Sequence, residues 1–209
     1  MCLICIAMLL SCKGQARELT ALEEGVVEAV GIDRNIVISI ASHGGPIERM
    51  MATTVDYRQE PADGVVLSTR PSRGRDVLRE LRSEFNGSGY WAYLLDESFG
   101  HGPDKVAIVK VKDDYKYLGL VRTDGVNLDL EHATILARYR SWDSKYALRL
   151  VGAGQDWLEA ELANPPSDWG AFADEVYEFC PDVVDQGTGD VESLANEMSA
   201  ARTVYLWWD

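Results

Sequence analysis

The segment "FCPDVVDQGTGD" sets Cys180, Asp182 and Asp185 close together, and Asp209 ends the chain. Carboxylates at such spacing can divide acid and base roles when their surroundings split their pKa values. They are also ligands for hard cations. A cysteine becomes a nucleophile when cations or a helix N-terminus stabilise its thiolate. Cys180 has anionic neighbours instead, in Glu175, Glu178, Asp182 and Asp185, and it reads as a buried structural residue. "DQGTGD" is rich in turn formers. Capping is therefore the simpler role for Asp182 and Asp185, and a catalytic pair is the alternative.

Three histidines are available as general bases. His43 and His101 lie in glycine-flanked loops and His132 lies near a helix start. His101 is the one to set beside Asp182, Asp185 and Asp209 in a carboxylate- or metal-dependent hydrolase. Against that reading, the chain has no G-x-S-x-G elbow and no H-E-x-x-H zinc spacing. "VGAG" is a G-x-G without its third glycine. "TDGVNLDLEH" offers Asp124, Asn127, Asp129 and Glu131 without the register of a calcium loop. No metal site and no cofactor is indicated.

The charge is uneven. The chain of 209 residues has a formal net charge of −14. From Val151 to Asp209 there are 13 acids and one base, Arg202, a net −12; the rest has 21 acids and 19 bases, a net −2. Nucleic-acid binders attract phosphate backbones with Lys and Arg. A chain this acidic points away from DNA and RNA, and towards a solvated surface or a basic partner.

Three of four cysteines, Cys2, Cys5 and Cys12, fall in "MCLICIAMLLSCKGQ". This apolar run is too short to cross a bilayer as a helix and matches the hydrophobic region of a signal peptide. Leu9-Leu10-Ser11-Cys12 resembles the bacterial lipoprotein box. That resemblance implies lipidation of Cys12 and a cell-envelope location, with Lys13 fitting outer-membrane sorting. No Lys or Arg precedes the run, which departs from the pattern, and a cytoplasmic location is the alternative. Residues 1–14 are then an address and 15–209 one domain.

The remaining elements follow from periodicity. Helices are expected over 15–30, 74–85, about 130–146, from Ser167 and from Asp190, with Asp129 capping the third. Strands are expected at "NIVISIA" (35–41), "GVVLST" (64–69), "YWAYLL", "KVAIVKV", "YKYLGLV", "ALRLVGA" and "DWLEAEL". In "TVYLWWD", Val204, Leu206 and Trp208 alternate with Tyr205 and Trp207, so both faces of the terminal strand are apolar. That pattern predicts an inner strand covered on both sides, or a pocket wall made by Trp207 or Trp208 with Asp209 at its rim. The order lacks a steady β-α-β beat. The fold class is α+β, with a mixed, largely antiparallel sheet, packed helices and the C-terminal strand buried in the sheet.

"DWLEAEL", "PPSDWGAFADEVYEFCPDVVDQGTG" and "YLWWD", with the upstream run from "VAIVKVKDDYKYLGLV", resemble the bacterial family called domain of unknown function 4253, over roughly residues 74–209. The resemblance implies that Phe179, Cys180, Pro181, Asp182, Gln186, Trp207, Trp208 and Asp209 occupy motif positions. It implies no activity. Gln186, Trp207 and Trp208 are the candidate binding residues. The expected function is a non-enzymatic binding or interaction module for a protein or small molecule, touching membrane only through the N-terminal anchor.

Overall fold

A computed structural model describes residues 16–111 and 113–208. Cys2, Cys5, Cys12 and Asp209 lie outside them, so the lipidation and rim expectations fall on undescribed positions.

The chain runs through α1 (Ala21–Val30), α2 (Arg34–Ser42), β1 (Ile47–Thr53), β2 (Gln59–Ser68), α3 (Gly74–Glu84), β3 (Trp91–Asp96), β4 (Lys105–Val109) and α4 (Asp114–Val121). It continues through α5 (His132–Tyr146), β5 (Leu148–Ala153), β6 (Trp157–Leu162), α6 (Trp169–Phe179), a π-helical turn (Val183–Thr188), α7 (Val191–Ala201) and β7 (Thr203–Trp207). The strands form one mixed sheet in the order β1-β2-β4-β3-β5-β6-β7. Every neighbouring pair is antiparallel except β3 with β5. The α+β class follows.

Helix starts obey capping chemistry. Thr20 and Glu23 form a capping box at α1, and Asp113, Asp168 and Asp190 accept backbone N–H groups at α4, α6 and α7. Asp129 does not cap α5; Glu131 precedes that helix, and Asp129 sits in a left-handed turn (φ 54°).

Two expected strands are helices. "NIVISIA" is α2, burying Ile36, Val37, Ile40 and Ala41, and "YKYLGLV" is α4, burying Tyr117, Leu118 and Val121. In both, the buried residues follow a helical stripe, and the β-branched and aromatic content misled. Tertiary packing outweighs the weak strand preference of these residues.

Alternation along the strands separates two cores. Val66, Tyr93, Ala107, Leu150, Leu158 and Leu206 face one, with residues of α4–α7. Val65, Leu67, Leu94, Ile108 and Val151 face the other, with residues of α1–α3. Helices thus cover both faces.

β7 lies in the sheet but at its edge, pairing with β6 alone. This corrects the expectation of an inner strand. Its inward side is buried as Val204, Leu206 and Trp208, while Thr203, Tyr205 and Trp207 stay half-buried. The Cys180 thiol donates to the Trp207 carbonyl at 3.0 Å, which occupies part of the edge.

Candidate functional site

The half-buried side of β6 and β7 carries an aromatic row. Trp157 and Trp207 are cross-strand partners, as are Glu159 and Tyr205. Such partners project to the same face. The rings of Trp157 and Tyr205 stack with centroids 5.8 Å apart and planes at 24°, and those of Tyr205 and Trp207 lie 5.5 Å apart.

Glycines make room for these rings. A Cβ on Gly154 would lie 2.4 Å from Trp157 Nε1, and one on Gly187 would lie 2.6 Å from Trp207 Cη2. Gly125 stands in the same relation to Trp208, with a Cβ 2.8 Å from its indole. Trp208 is 3% exposed, meets Phe179 edge-on at 6.0 Å, and donates its backbone N–H to Asp156 at 2.9 Å.

The row lines a groove of about 480 Å³, with Phe99, Asp96, Glu97 and Asp156 completing its walls. Phe99 is largely exposed. It rides on the β3–β4 loop, which buried Asp104 anchors by accepting the N–H groups of Ser98 (3.0 Å) and Gly74 (2.8 Å).

The groove is acidic, and its acids differ. Arg75, from α3, grips Glu97 at 2.8 and 2.7 Å and Glu159 at 3.0 and 2.7 Å. Paired forks of this kind are geometrically specific. The hydrogen bonds from Glu97 and Glu159 hold the Arg75 guanidinium even more firmly protonated than usual. Asp96 and Asp156 are exposed and make no side-chain hydrogen bond or ion pair among the described residues. Burial pushes the Tyr205 hydroxyl up to about 12, and the charges of Glu97 and Glu159 add to it, so Tyr205 stays neutral. The arrangement joins half-buried aromatic rings to carboxylates that make no ion pair among the described residues, although Lys105 is the cross-strand partner of Asp96. Such a site is suited to an organic cation.

The remaining predicted residues are dispersed. Asp182 is buried and accepts from Asn127 Nδ2 at 2.9 Å. Asp185 is exposed and accepts from Tyr177 at 3.1 Å. Gln186 is exposed and does not line the groove. His101 is exposed on the Phe99 loop, bonded through its backbone to Ser98. No cluster of three His, Cys, Asp or Glu side chains suited to a metal ion occurs among the described residues. Cys180 is fully buried, and burial pushes its thiol up to about 12. That leaves it a poor nucleophile.

Trp207 and Trp208 were legible as candidates, but they divide the work between wall and plug. Sequence reasoning missed Trp157, Tyr205, Asp156, Asp96 and Phe99. The alternation in "DWLEAEL" puts Trp157 on one face with Glu159 and Glu161, which reads as a solvent face; only the structure, in which Glu159 is buried, shows that it is not.

Residues 105–209 match the model of a family described as "Domain of unknown function (DUF4253)". The match starts at Lys105 and so takes in β4 to β7 but not α3 or β3. No curated protein and no solved structure matches the chain.

Proposed function

Starting from the fact that the chain belongs to the DUF4253 family, we propose that it is a non-enzymatic binding module whose β6–β7 groove takes an organic cation. The observation that carries this reading is the open Trp157–Tyr205–Trp207 row beside Asp96 and Asp156. Aromatic faces attract a cation through their quadrupoles, by about 0.5–2 kcal/mol per contact. The two carboxylates, which make no ion pair among the described residues, add Coulombic attraction,. The acidic C-terminal third steers cations in and keeps phosphate backbones away,.

A lipid anchor at Cys12, suggested by Leu9-Leu10-Ser11-Cys12, would display this module at the cell envelope of a bacterium. Among the described residues no helix is long and apolar enough to cross a membrane.

Calorimetric titration with choline tests the binding reading. Choline should bind saturably, its uncharged carbon isostere at least about tenfold more weakly, and the Asp96→Asn, Asp156→Asn double variant should lose most of the affinity. Equal binding of the isostere and choline would sink the reading.

A further inference from the structure

A second cavity opens where the sheet changes direction. β3 and β5 are parallel neighbours and pair at a single register position, Leu94 with Gly152. Towards the starts of both strands the ladder is open. A cleft of about 710 Å³ lies there, lined by Arg82, Arg149, Tyr90, Trp91, Asp114 and Glu161 among others. That size is typical of small-molecule sites.

Arg82 is built into the gap. From α3 it donates Nε to the Ala92 carbonyl (2.9 Å) and Nη2 to the carbonyls of Leu150 (2.6 Å) and Val151 (3.2 Å). Its third nitrogen, Nη1, makes no hydrogen bond among the described residues and is not sealed from solvent. A planar guanidinium fixed at two corners presents the remaining donor in a set direction. Arg149, exposed on β5, has no ion pair among the described residues, although Glu161 is its cross-strand partner. Arg79, also on the wall, is taken by Asp76.

The negative groups set the kind of anion. Asp114 is already engaged by Tyr93 (2.8 Å), Tyr139 (3.2 Å) and the Leu150 N–H (2.9 Å). Its charge and that of Glu161 oppose a dianion such as phosphate. The two arginines and two acids sum to no net charge, so the cleft opposes a carboxylate monoanion less than it opposes a dianion,. Half-exposed Trp91 supplies an aromatic wall, while the Tyr90 ring is buried beneath Lys110 and beside Phe85.

We propose that the β3–β5 cleft is a second ligand site, which takes the carboxylate of a small aromatic acid between Arg82 and Arg149, with the ring against Trp91. The site is separate from the β6–β7 groove and stands or falls independently of it.

Calorimetry of the full chain with benzoate, phenylacetate and indole-3-acetate at millimolar concentration tests this, with inorganic phosphate as competitor. At least one acid should bind saturably, and phosphate should not displace it. Arg149→Gln, on an exposed and unpaired side chain, should keep the fold and weaken that binding about tenfold or more, the loss of one charged hydrogen bond. It should leave choline binding unchanged. Three results would each overturn the proposal: no saturable heat with any of the three acids, unchanged affinity in Arg149→Gln, or effective competition by phosphate.

Discussion

Arg82 and Asp114 bond the same residue of β5 from opposite faces of the sheet. The Arg82 guanidinium donates to the Leu150 carbonyl at 2.6 Å, and the Asp114 carboxylate accepts the Leu150 N–H at 2.9 Å. Both backbone groups would otherwise be unpaired in the gap beside β3, and a buried unpaired group is costly. Two side chains do the work of a missing ladder rung.

Removing either should therefore destabilise the domain. Asp114→Ala strips acceptors from Leu150, Tyr93 and Tyr139 and is expected to cost about 3 kcal/mol. Arg82→Gln should cost about 2 kcal/mol. Because both act on one strand residue, the double variant should show coupling of about 1 kcal/mol in urea unfolding. Strict additivity would mean that the two do not share the gap.

Gly152 makes the single β3–β5 contact possible. A Cβ there would lie 2.2 Å from the Leu94 carbonyl oxygen, a backbone atom that cannot turn away. Gly152→Ala should cost about 3 kcal/mol by overpacking, read as a lower midpoint in thermal unfolding. Gly187→Ala is different, because its Cβ would meet the outer ring atoms of half-buried Trp207. That ring can swing out. Stability should change little while choline binding weakens.

The two terminal tryptophans should separate by stability. Trp208→Ala empties a site 3% exposed and should cost about 3–5 kcal/mol. Trp207→Ala should cost less than half as much yet abolish choline binding. Deleting both with Asp209 should unfold the domain. An unchanged melting temperature in the truncated chain would remove the structural role of the tail.

Cys180 predicts an alkaline effect. Burial holds its thiol at about 12 in the folded chain, above its ordinary value of about 9. Between these values the unfolded chain binds fewer protons than the folded one, so stability falls as pH rises through that window. Below it the contribution is constant. Cys180→Ala should flatten this part of the pH profile relative to wild type. Native labelling of Cys180 by thiol reagents should be slow, and fast after denaturation.

At the other end of the chain, Cys12→Ala should release the protein from the membrane fraction of a bacterial host. A wild-type protein that is soluble and keeps Met1 would end the lipoprotein proposal.

The sequence disclosed what repeats locally. The stripes at Val77, Leu78 and Leu81, at Ile135, Tyr139 and Trp142, and at Phe172 and Val176 mark helices whose buried faces agree with them. It misled where composition and period conflict, as in α2 and α4. β1, an edge strand whose register with β2 shifts between Arg49 and Met51, was not foreseen. Pairings such as Arg82 with β5, or Arg75 with Glu159 across 84 positions, leave no local trace. The groove was half legible for the same reason. Two adjacent tryptophans at Trp207 and Trp208 announce themselves, but Asp96, Phe99 and Trp157 join them only through strand order.

If the β6–β7 row meets the ligand, the indole N–H signals report it most directly. The chain has six tryptophans, each giving one such signal in a nitrogen–proton correlation spectrum. Titrating with tetramethylammonium should shift those of Trp157 and Trp207 saturably, and leave buried Trp142 in place. If Trp157 and Trp207 stay still at millimolar cation, or if all six drift together, the groove is not a cation site.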